Sequence, residues 1–366
     1  MRRTMLTLPA AGLLAATALA ACGDGSASDE DGLDVVAAFY PLAFAAEQVG
    51  GEHVNVTNLT PAGQEPHDLE LQPSDIAAIE QADHIVYLEG FIPEIDAAID
   101  EYASDKALEV GSVVDMIGYD DTEALEGDHD HAEGDEHGHD HAEEDEHAHD
   151  HAEGDEHAHD HAEGDEHAEE DGHDHAEEES HGDDGHSHDH TEGSDPHVWL
   201  DPLRYAAIGD AIAEALSGAD DANADDYTAG AETFAAALTE LDDEFTEGLA
   251  DRTSDEIVTS HAAFGYLADR YGLHQVAIAG LSPDQEASSQ RMAEIAHFVE
   301  DHGVTTIFFE TLASSAIADT IADETGARTD VLNPIEGLTE ADGDDADYFS
   351  VMRDNLTALQ TALGAA

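Results

Sequence analysis

The sequence has very few positive charges. Lysine and arginine together number 9 against 89 aspartates and glutamates, which gives a formal net charge of -80 at pH 7. Binding a phosphate backbone requires clustered basic side chains, so this composition excludes a nucleic-acid partner. It favours a solvated surface that repels other acidic surfaces and attracts cations.

Cysteine is almost absent too. Cys22 is the only one, which excludes an internal disulfide. Two arginines and an apolar run, Leu6–Ala18, precede it, and that run is too short to anchor stably across a bilayer. We predict a lipoprotein signal peptide over 1–21, lipidation of Cys22, a flexible tether over 22–32, and attachment to the outer face of the cell membrane. An ordinary secretory signal peptide with an incidental cysteine is the alternative.

The rest of the chain alternates short apolar strands with amphipathic helices, which is typical of α/β folds with parallel sheets. The alternation occurs in 33–221 and again in 253–366, and the stretch 222–252 between them has apolar residues at helical spacing and no proline. We therefore predict two similar α/β lobes bridged by one long helix, with a ligand site in the cleft between the lobes. Strands are predicted over Leu33–Phe39, His53–Leu59, His84–Leu88, Glu256–Ser260, Gln275–Ala279, Thr305–Phe309 and Thr329–Leu332. Helices are predicted over Pro41–Val49, Ser74–Ala82 with Ser74 as cap, Ile92–Tyr102, Pro202–Ser217, Ala222–Arg252, Phe264–Tyr271, Ala287–His302, Ser314–Thr325 and Asp345–Leu363.

A histidine-rich insert over 128–195 interrupts the first lobe. The decamer HDHAEGDEHG and its near-copies occur four times in succession, and the insert holds 18 of the 26 histidines. It lacks the aromatic and large apolar residues that a core requires, so we expect it to be disordered without metal. Imidazoles suit zinc, copper and nickel, and interleaved carboxylates add charge, so we expect several weak, exchanging metal sites. An acidic spacer with incidental histidines is the alternative.

Three histidines outside the insert lie in loops beside predicted strands. His67 lies in QEPHDLE, His197 in SDPHVWLDP, and His261 in TSHAAFGY, where a strand passes into a helix. Open α/β sheets bind ligands at the carboxyl ends of their strands. Three imidazoles and one carboxylate would complete a tetrahedral zinc shell, although a histidine taken alone is more often an ordinary packed residue.

Four motifs carry a resemblance to a known family. EPHDLE, DPHVWLDP, SHAAFGYL and LNPIEGLTE, in this order and with a histidine-rich insert between the first two, resemble the zinc-binding proteins of ABC importers, the ZnuA/AdcA type within cluster A-I of the solute-binding proteins. The resemblance covers Asp34 to Leu363. It implies two α/β lobes bridged by one long helix, with the metal between them.

The resemblance also implies a ligand set. By motif match, His67, His197 and His261 are the imidazole ligands of Zn2+, and Glu336 is the carboxylate ligand. Some relatives use water or a carboxylate beside the first histidine instead. Here Pro66 is that neighbour and Glu65 is one step further away, which favours Glu336 over Glu65.

Two alternatives bear on these residues. Glu336 could be a helix-capping or turn carboxylate before glycine and not a ligand. Related manganese binders usually carry glutamate at the position of His261, so a histidine there favours zinc, since manganese prefers oxygen-rich shells.

Several other residues are candidates for supporting roles. Asp195 and Asp201 either orient His197 or serve as turn residues. Glu310 is expected behind the ligands or in a structural role, and Trp199 is expected to pack beside the site. The remaining histidines outside the insert are predicted to be structural: His53, His84, His274, His297 and His302.

The resemblance implies an extracytoplasmic, monomeric protein that captures Zn2+ and delivers it to an ABC permease served by a cytoplasmic ATPase. We predict no enzymatic activity, because HExxH is absent and four protein ligands leave no position for a catalytic water. The alternatives are a manganese or other divalent-metal binder of the same importer type, and a surface zinc store or metal-dependent adhesin. Metal binding should weaken below about pH 6, as imidazoles protonate.

Overall fold

A computed structural model of the 366-residue chain describes residues 32–119, 193–283, 285, 287–339, 342–343 and 345–365. The predicted signal peptide, Cys22, residues 22–31 of the predicted tether and residues 128–192 of the predicted insert lie outside the described residues. Within the described part, no helix combines the length and apolar character needed to cross a membrane.

The N-terminal lobe is built on one parallel sheet. Its strands are β1 (Leu33–Ala37), β2 (Val54–Asn58), β3 (His84–Tyr87) and β4 (Ala107–Glu109), in the order β2-β1-β3-β4. Its helices are α1 (Tyr40–Gly50), α2 (Pro73–Gln81) and α3 (Pro93–Tyr102). Each of these helices has a proline at its start, where the missing N–H has no helical partner in any case.

Two long helices follow, α4 (Pro202–Ala219) and α5 (Ala224–Gly248). With 25 residues, α5 is about 37 Å long at 1.5 Å per residue. It packs against α1 and α4, and it leads into the C-terminal lobe. Its buried residues recur every three to four positions and form one apolar stripe: Tyr227, Ala231, Phe234, Leu238, Leu241 and Phe245. The predicted long helix is therefore present.

The C-terminal lobe repeats the plan of the first. Its strands are β5 (Glu256–Thr259), β6 (His274–Ala277), β7 (Thr306–Phe309) and β8 (Arg328–Val331), all parallel in the order β6-β5-β7-β8. Its helices are α6 (Gly265–Tyr271), α7 (Ser289–His302), α8 (Ala316–Thr325) and α9 (Tyr348–Leu363). The prediction of two α/β lobes with parallel sheets is confirmed.

One hydrophobic core continues from the first lobe into the second. It includes Phe39 of the first lobe, Tyr205 of α4, Phe308 of β7 and Tyr348 of α9. A smaller core fills the space between the C-terminal sheet and the helices α7 and α8. Because apolar surface is buried on both sides of the junction, the loops that leave the two sheets are held against each other.

Two local predictions need correction. Helix α2 is not capped by Ser74. It begins at Pro73, with Gln72 as the cap residue, whose N–H donates to Asp75 Oδ2 over 2.7 Å. The proline occupies the first helical position, so the start lies before the serine. Strand β4 is absent from the predictions, because three half-buried residues show no periodicity.

The crossing of α1 and α5 depends on a glycine. A Cβ at Gly230 would overlap the backbone carbonyl of Val49, whereas Gly218, exposed near the end of α4, has open space around it. We expect Gly230→Ala to lower the free energy of unfolding by about 1–3 kcal/mol, because α1 must shift. Gly218→Ala, the matched control, should raise it by about 0.4–1 kcal/mol by restricting the unfolded chain. Urea unfolding would measure both, and equal effects would contradict this account of the contact.

Candidate metal centre

His67 lies on a loop that follows β2. Residues Pro66–Asp68 form a single 3-10 turn, whose start is capped by Glu65 Oε1 accepting from the His67 N–H at 3.2 Å. The imidazole packs edge-on against Phe91, with ring centroids 4.6 Å apart. The proline and the glutamate cap thus fix the backbone, and the phenylalanine restricts the ring.

His197 lies just before α4 and is fully buried. Its Nδ1–H donates to Asp195 Oδ1 at 2.7 Å, and its backbone N–H donates to the same oxygen at 2.9 Å. A carboxylate that accepts from Nδ1 leaves Nε2 as the nitrogen that faces the site. Of the two readings open for Asp195, the structure therefore supports orientation of His197.

His261 follows β5, two residues beyond its end, and is also fully buried. Its Nδ1–H donates to Glu310 Oε1 at 2.7 Å, and the Ser260 hydroxyl donates to that same oxygen at 2.6 Å. Glu310 lies directly after β7, which pairs with β5, so parallel pairing places the two side chains together. Glu310 is behind the imidazole, as expected.

Glu336 lies on a strained loop after β8. The preceding residue, Ile335, is fully buried and has φ 61°, a left-handed conformation that is costly for a β-branched side chain. The loop is fixed by an exchange of hydrogen bonds: Asn333 N–H donates to Asn355 Oδ1, and Asn355 Nδ2 donates to Asn333 O, at 2.8 and 2.7 Å. These buried contacts hold Glu336 in place.

These loops bring four ligand atoms together. The atoms lie within 4.8 Å of one another and could hold a metal ion, and they belong to His67, His197, His261 and Glu336. Glu336 Oε1 is 3.0 Å from Nε2 of His197, 3.3 Å from Nε2 of His261 and 3.9 Å from Nε2 of His67. No second group of this kind occurs among the described residues.

The donor set fits a late divalent metal. Three imidazole nitrogens and one carboxylate oxygen match the coordination that zinc prefers. Within the described part, His261 Nε2 and Glu336 Oε2 are buried without a hydrogen-bond partner. Polar atoms of this kind are costly unless something binds them, and a cation between the rings and the carboxylate would do so.

The carboxylates control the proton affinity of the rings. Burial lowers the pKa of His261, but Glu310 and Glu336 outweigh burial and raise that pKa to about 10. The pKa of His197 is raised by Asp195 and Glu336 in the same way. Burial would raise the pKa of Glu336, yet the two imidazoles hold it well below its ordinary value. When no metal is bound, a proton on the His261 ring compensates the buried carboxylate.

Glu65, which the sequence ranked below Glu336 as a carboxylate ligand, interacts with Glu336 in the structure. Burial, followed by the charge of Glu336, raises the pKa of Glu65 to about 9, so its carboxyl is neutral at pH 7. It is not a member of the four-residue group. Its neutrality limits the negative charge at the centre, and its position two residues before a histidine gave no signal of this.

The other candidate residues have supporting or structural roles outside the four-residue group. Asp201 caps α4 by accepting from Leu203 N–H at 2.9 Å, and it pairs with Arg204. Of its two predicted roles, the structure therefore supports a turn residue, at the start of α4. Trp199 packs 5.4 Å from the His197 ring, as expected, and its Nε1–H donates to Pro334 O at 2.7 Å. The histidines predicted to be structural, His53, His84, His274, His297 and His302, are all outside the metal-holding group.

Comparison with known protein families shows to which family the chain belongs. Residues 35–362 match the family model of ZnuA, described as the periplasmic component A of a zinc-uptake complex. The chain belongs to the ZnuA family. The motif resemblance is thereby confirmed, and the family is one of solute-binding transport components.

Individual proteins similar to this ZnuA-family chain also have zinc in their names. The zinc-binding lipoprotein AdcA of Streptococcus pneumoniae is 34% identical over 352 residues, covering 95% of this chain and 59% of AdcA. The high-affinity zinc uptake system protein ZnuA of Bacillus subtilis is 33% identical over 355 residues, covering 94% and 93%. The crystal structure of Zn(II)-bound AdcA from S. pneumoniae superposes with a TM-score of 0.64 at 30% identity, covering 91% of this chain and 58% of that one. The chain thus spans about three fifths of AdcA.

The Asn333–Asn355 pair yields a prediction for this ZnuA-family site. Asn355→Ala leaves the Asn333 N–H and C=O buried without partners, so we expect a loss of about 1–3 kcal/mol in the free energy of unfolding and weaker metal binding through Glu336. Gln360→Ala is the control on the same helix, since its amide donates to Gly248 O at 3.1 Å, away from Glu336. It should leave metal affinity unchanged, and equal affinity in both variants would refute the proposed role of Asn355.

The raised pKa of His261 gives a pH dependence with a definite sign. Metal requires the neutral ring, so apparent affinity should rise with pH until about pH 10, by up to about tenfold per pH unit for each proton displaced. For an ordinary imidazole the rise would end at about pH 6 to 7. The stability of the metal-free chain should change in the opposite direction, because the pKa of His261 in the folded chain exceeds its unfolded value of 6.5. The contribution of the protonated His261 to the free energy of unfolding is complete below pH 6.5 and is lost as the pH rises towards 10. Chelator competition and urea unfolding would measure the two trends, and an affinity that is flat above pH 7 would contradict them.

Proposed function

We propose that this chain is the extracytoplasmic zinc-binding component of an ABC importer. It captures one Zn2+ ion as cargo with His67, His197, His261 and Glu336 and delivers it to a membrane permease driven by a cytoplasmic ATPase. The single observation that carries the proposal is the convergence of these four groups within 4.8 Å, in a member of the ZnuA family.

The metal preference follows from the donor atoms. Nitrogen donors outnumber oxygen donors three to one in the proposed shell, which suits zinc and disfavours manganese. The neutral state of Glu65 at pH 7 supports this, because it leaves Glu336 as the charged carboxylate beside the rings. The relatives AdcA and ZnuA carry zinc in their names.

The placement of the ligands fits reversible cargo binding better than catalysis. Four protein ligands fill a tetrahedral shell, whereas a catalytic zinc keeps one position for water or substrate. The ligands come from loops of both lobes, so a change in the separation of the lobes would dismantle the shell and release the ion. A passive surface store would not require four side chains held in this buried arrangement.

We also propose a site of action. The signal peptide over 1–21 would be removed, and a lipid on Cys22 would anchor the mature chain at the outer face of the cell membrane. The chain would act as a monomer beside its permease. AdcA of S. pneumoniae is named a lipoprotein. The histidine-rich insert over 128–195 would hold zinc weakly and raise its local concentration for the centre.

Metal stoichiometry and affinity test the function. We expect equilibrium dialysis of the mature chain to give one tight zinc site and several weak ones, and deletion of 128–192 to remove only the weak ones. His261→Ala in the deleted chain should abolish tight binding, because a ligand and the partner of Glu310 are lost together. In cells, loss of the protein should impair growth specifically when zinc is limiting.

His274→Ala provides the matched control. The side chain of this histidine is 40% exposed, and the residue begins β6 in the same lobe and pairs with Glu256 of β5. Its removal should leave tight binding intact. Tight binding that survives His261→Ala, or that is lost equally in His274→Ala, would overturn the assignment of the centre, and turnover of an ester or peptide dependent on His261 would revive an enzyme.

A further inference from the structure

One tyrosine joins the two lobes beside the centre. Tyr266, on α6 of the C-terminal lobe, is fully buried. Its hydroxyl donates to Asp195 O at 2.9 Å and accepts from Ile117 N–H at 3.0 Å. Asp195 N–H in turn donates to Ile117 O at 2.9 Å. The hydroxyl therefore closes a ring of hydrogen bonds between two separate segments of the N-terminal lobe.

Asp195 is the point at which this joint meets the site. Its backbone carbonyl is held by Tyr266, and its side-chain Oδ1 accepts both the Nδ1–H and the backbone N–H of His197. A displacement of the Asp195 backbone would therefore move the acceptor that orients the imidazole. Outer partners of this kind set the ring orientation of metal-binding histidines.

The residue before the tyrosine restricts Asp195 from the other side. A Cβ at Gly265 would overlap Asp195 Oδ2, so only glycine leaves room for the carboxylate in its observed rotamer. The Tyr266 ring is itself fixed, because the Arg204 guanidinium lies over it at 5.1 Å from the ring centroid. Gly265 and Tyr266 together form a surface of the C-terminal lobe shaped to the Asp195–His197 loop.

We propose that Gly265 and Tyr266 are positioning residues for the metal centre, which set the orientation of His197 through Asp195 from the opposite lobe. Because Gly265 and Tyr266 contact Asp195 from the opposite lobe, the His197 ring is correctly oriented only when the two lobes are in contact. Capture of the ion and closure of the lobes are then linked by the same hydrogen bond, and separation of the lobes weakens the His197 ligand. This inference rests on the proposed zinc-binding function.

The test uses the full chain and its single tryptophan. Trp199 lies 5.4 Å from the His197 ring, so its fluorescence reports on the centre, and chelator-buffered zinc fixes the free ion concentration whatever else the chain binds. Tyr266→Phe removes only the hydroxyl and should raise the zinc Kd about fivefold, the effect of one net hydrogen bond. Gly265→Ala displaces the carboxylate and should raise the Kd by about tenfold or more.

Tyr271→Phe is the matched control. It removes a buried hydroxyl from the same helix, one that donates to Asp242 Oδ1 at 3.1 Å and has no contact with Asp195 or His197. Both tyrosine variants should lower the thermal midpoint, but only Tyr266→Phe should weaken zinc binding. In an Asp195→Ala background, Tyr266→Phe should change the Kd by less than about twofold, because the hydroxyl acts through Asp195.

The outcomes separate the proposed zinc-binding function from the positioning role of Gly265 and Tyr266. A wild-type chain without a zinc-dependent tryptophan signal and without tight binding would overturn the proposed function. A wild-type chain that binds zinc tightly, with Tyr266→Phe and Tyr271→Phe binding equally well, would leave the function standing and overturn the positioning role. An undiminished effect of Tyr266→Phe in the Asp195→Ala background would overturn the route through Asp195.

Discussion

The structure depends on one buried carboxylate that faces three imidazoles. Glu336 is fully buried, and a charge in such a place is expensive unless positive charge or hydrogen bonds compensate it. The imidazoles of His197 and His261 supply this compensation and hold the pKa of Glu336 well below its ordinary value, and a cation would take over that role. Because the rings must be neutral to bind a metal, protons compete directly with the ion.

Three of the four groups at the centre are held in place by other polar side chains. Asp195 orients His197, Glu310 orients His261, and the asparagine pair holds the loop of Glu336. The left-handed Ile335 belongs to the same arrangement: a backbone conformation of this cost persists only where the surroundings over-determine it. The hydrogen bond from the Trp199 indole to Pro334 O adds a link between the lobes at this loop. Rigid support of this kind fixes ligand geometry more strictly than the ligands could themselves.

The sequence predicts this centre to the extent that its signals are local. Loops beside predicted strands identify the three histidines, and the lobes follow from the alternation of strands and helices. Glu336 was predicted only from the resemblance to a known family. Contacts between distant residues left no such signal: Asn333 and Asn355 are 22 positions apart, and Glu65 meets Glu336 only through the fold. Asp195 and Asp201 have the same Asp-Pro context in sequence, and only the structure separates the acceptor of His197 from the cap of α4.

The charge of the whole chain and the charge of the centre act over different distances. A net charge of -80 attracts every cation alike, and salt screens that attraction beyond about 10 Å at 0.1 M. The buried set of three imidazoles and one carboxylate is screened far less, because water and counterions are excluded from it. Attraction by the surface cannot therefore distinguish one divalent ion from another. Discrimination has to arise where donor type and geometry are fixed, and in the described part of the chain that place is the junction of the two lobes.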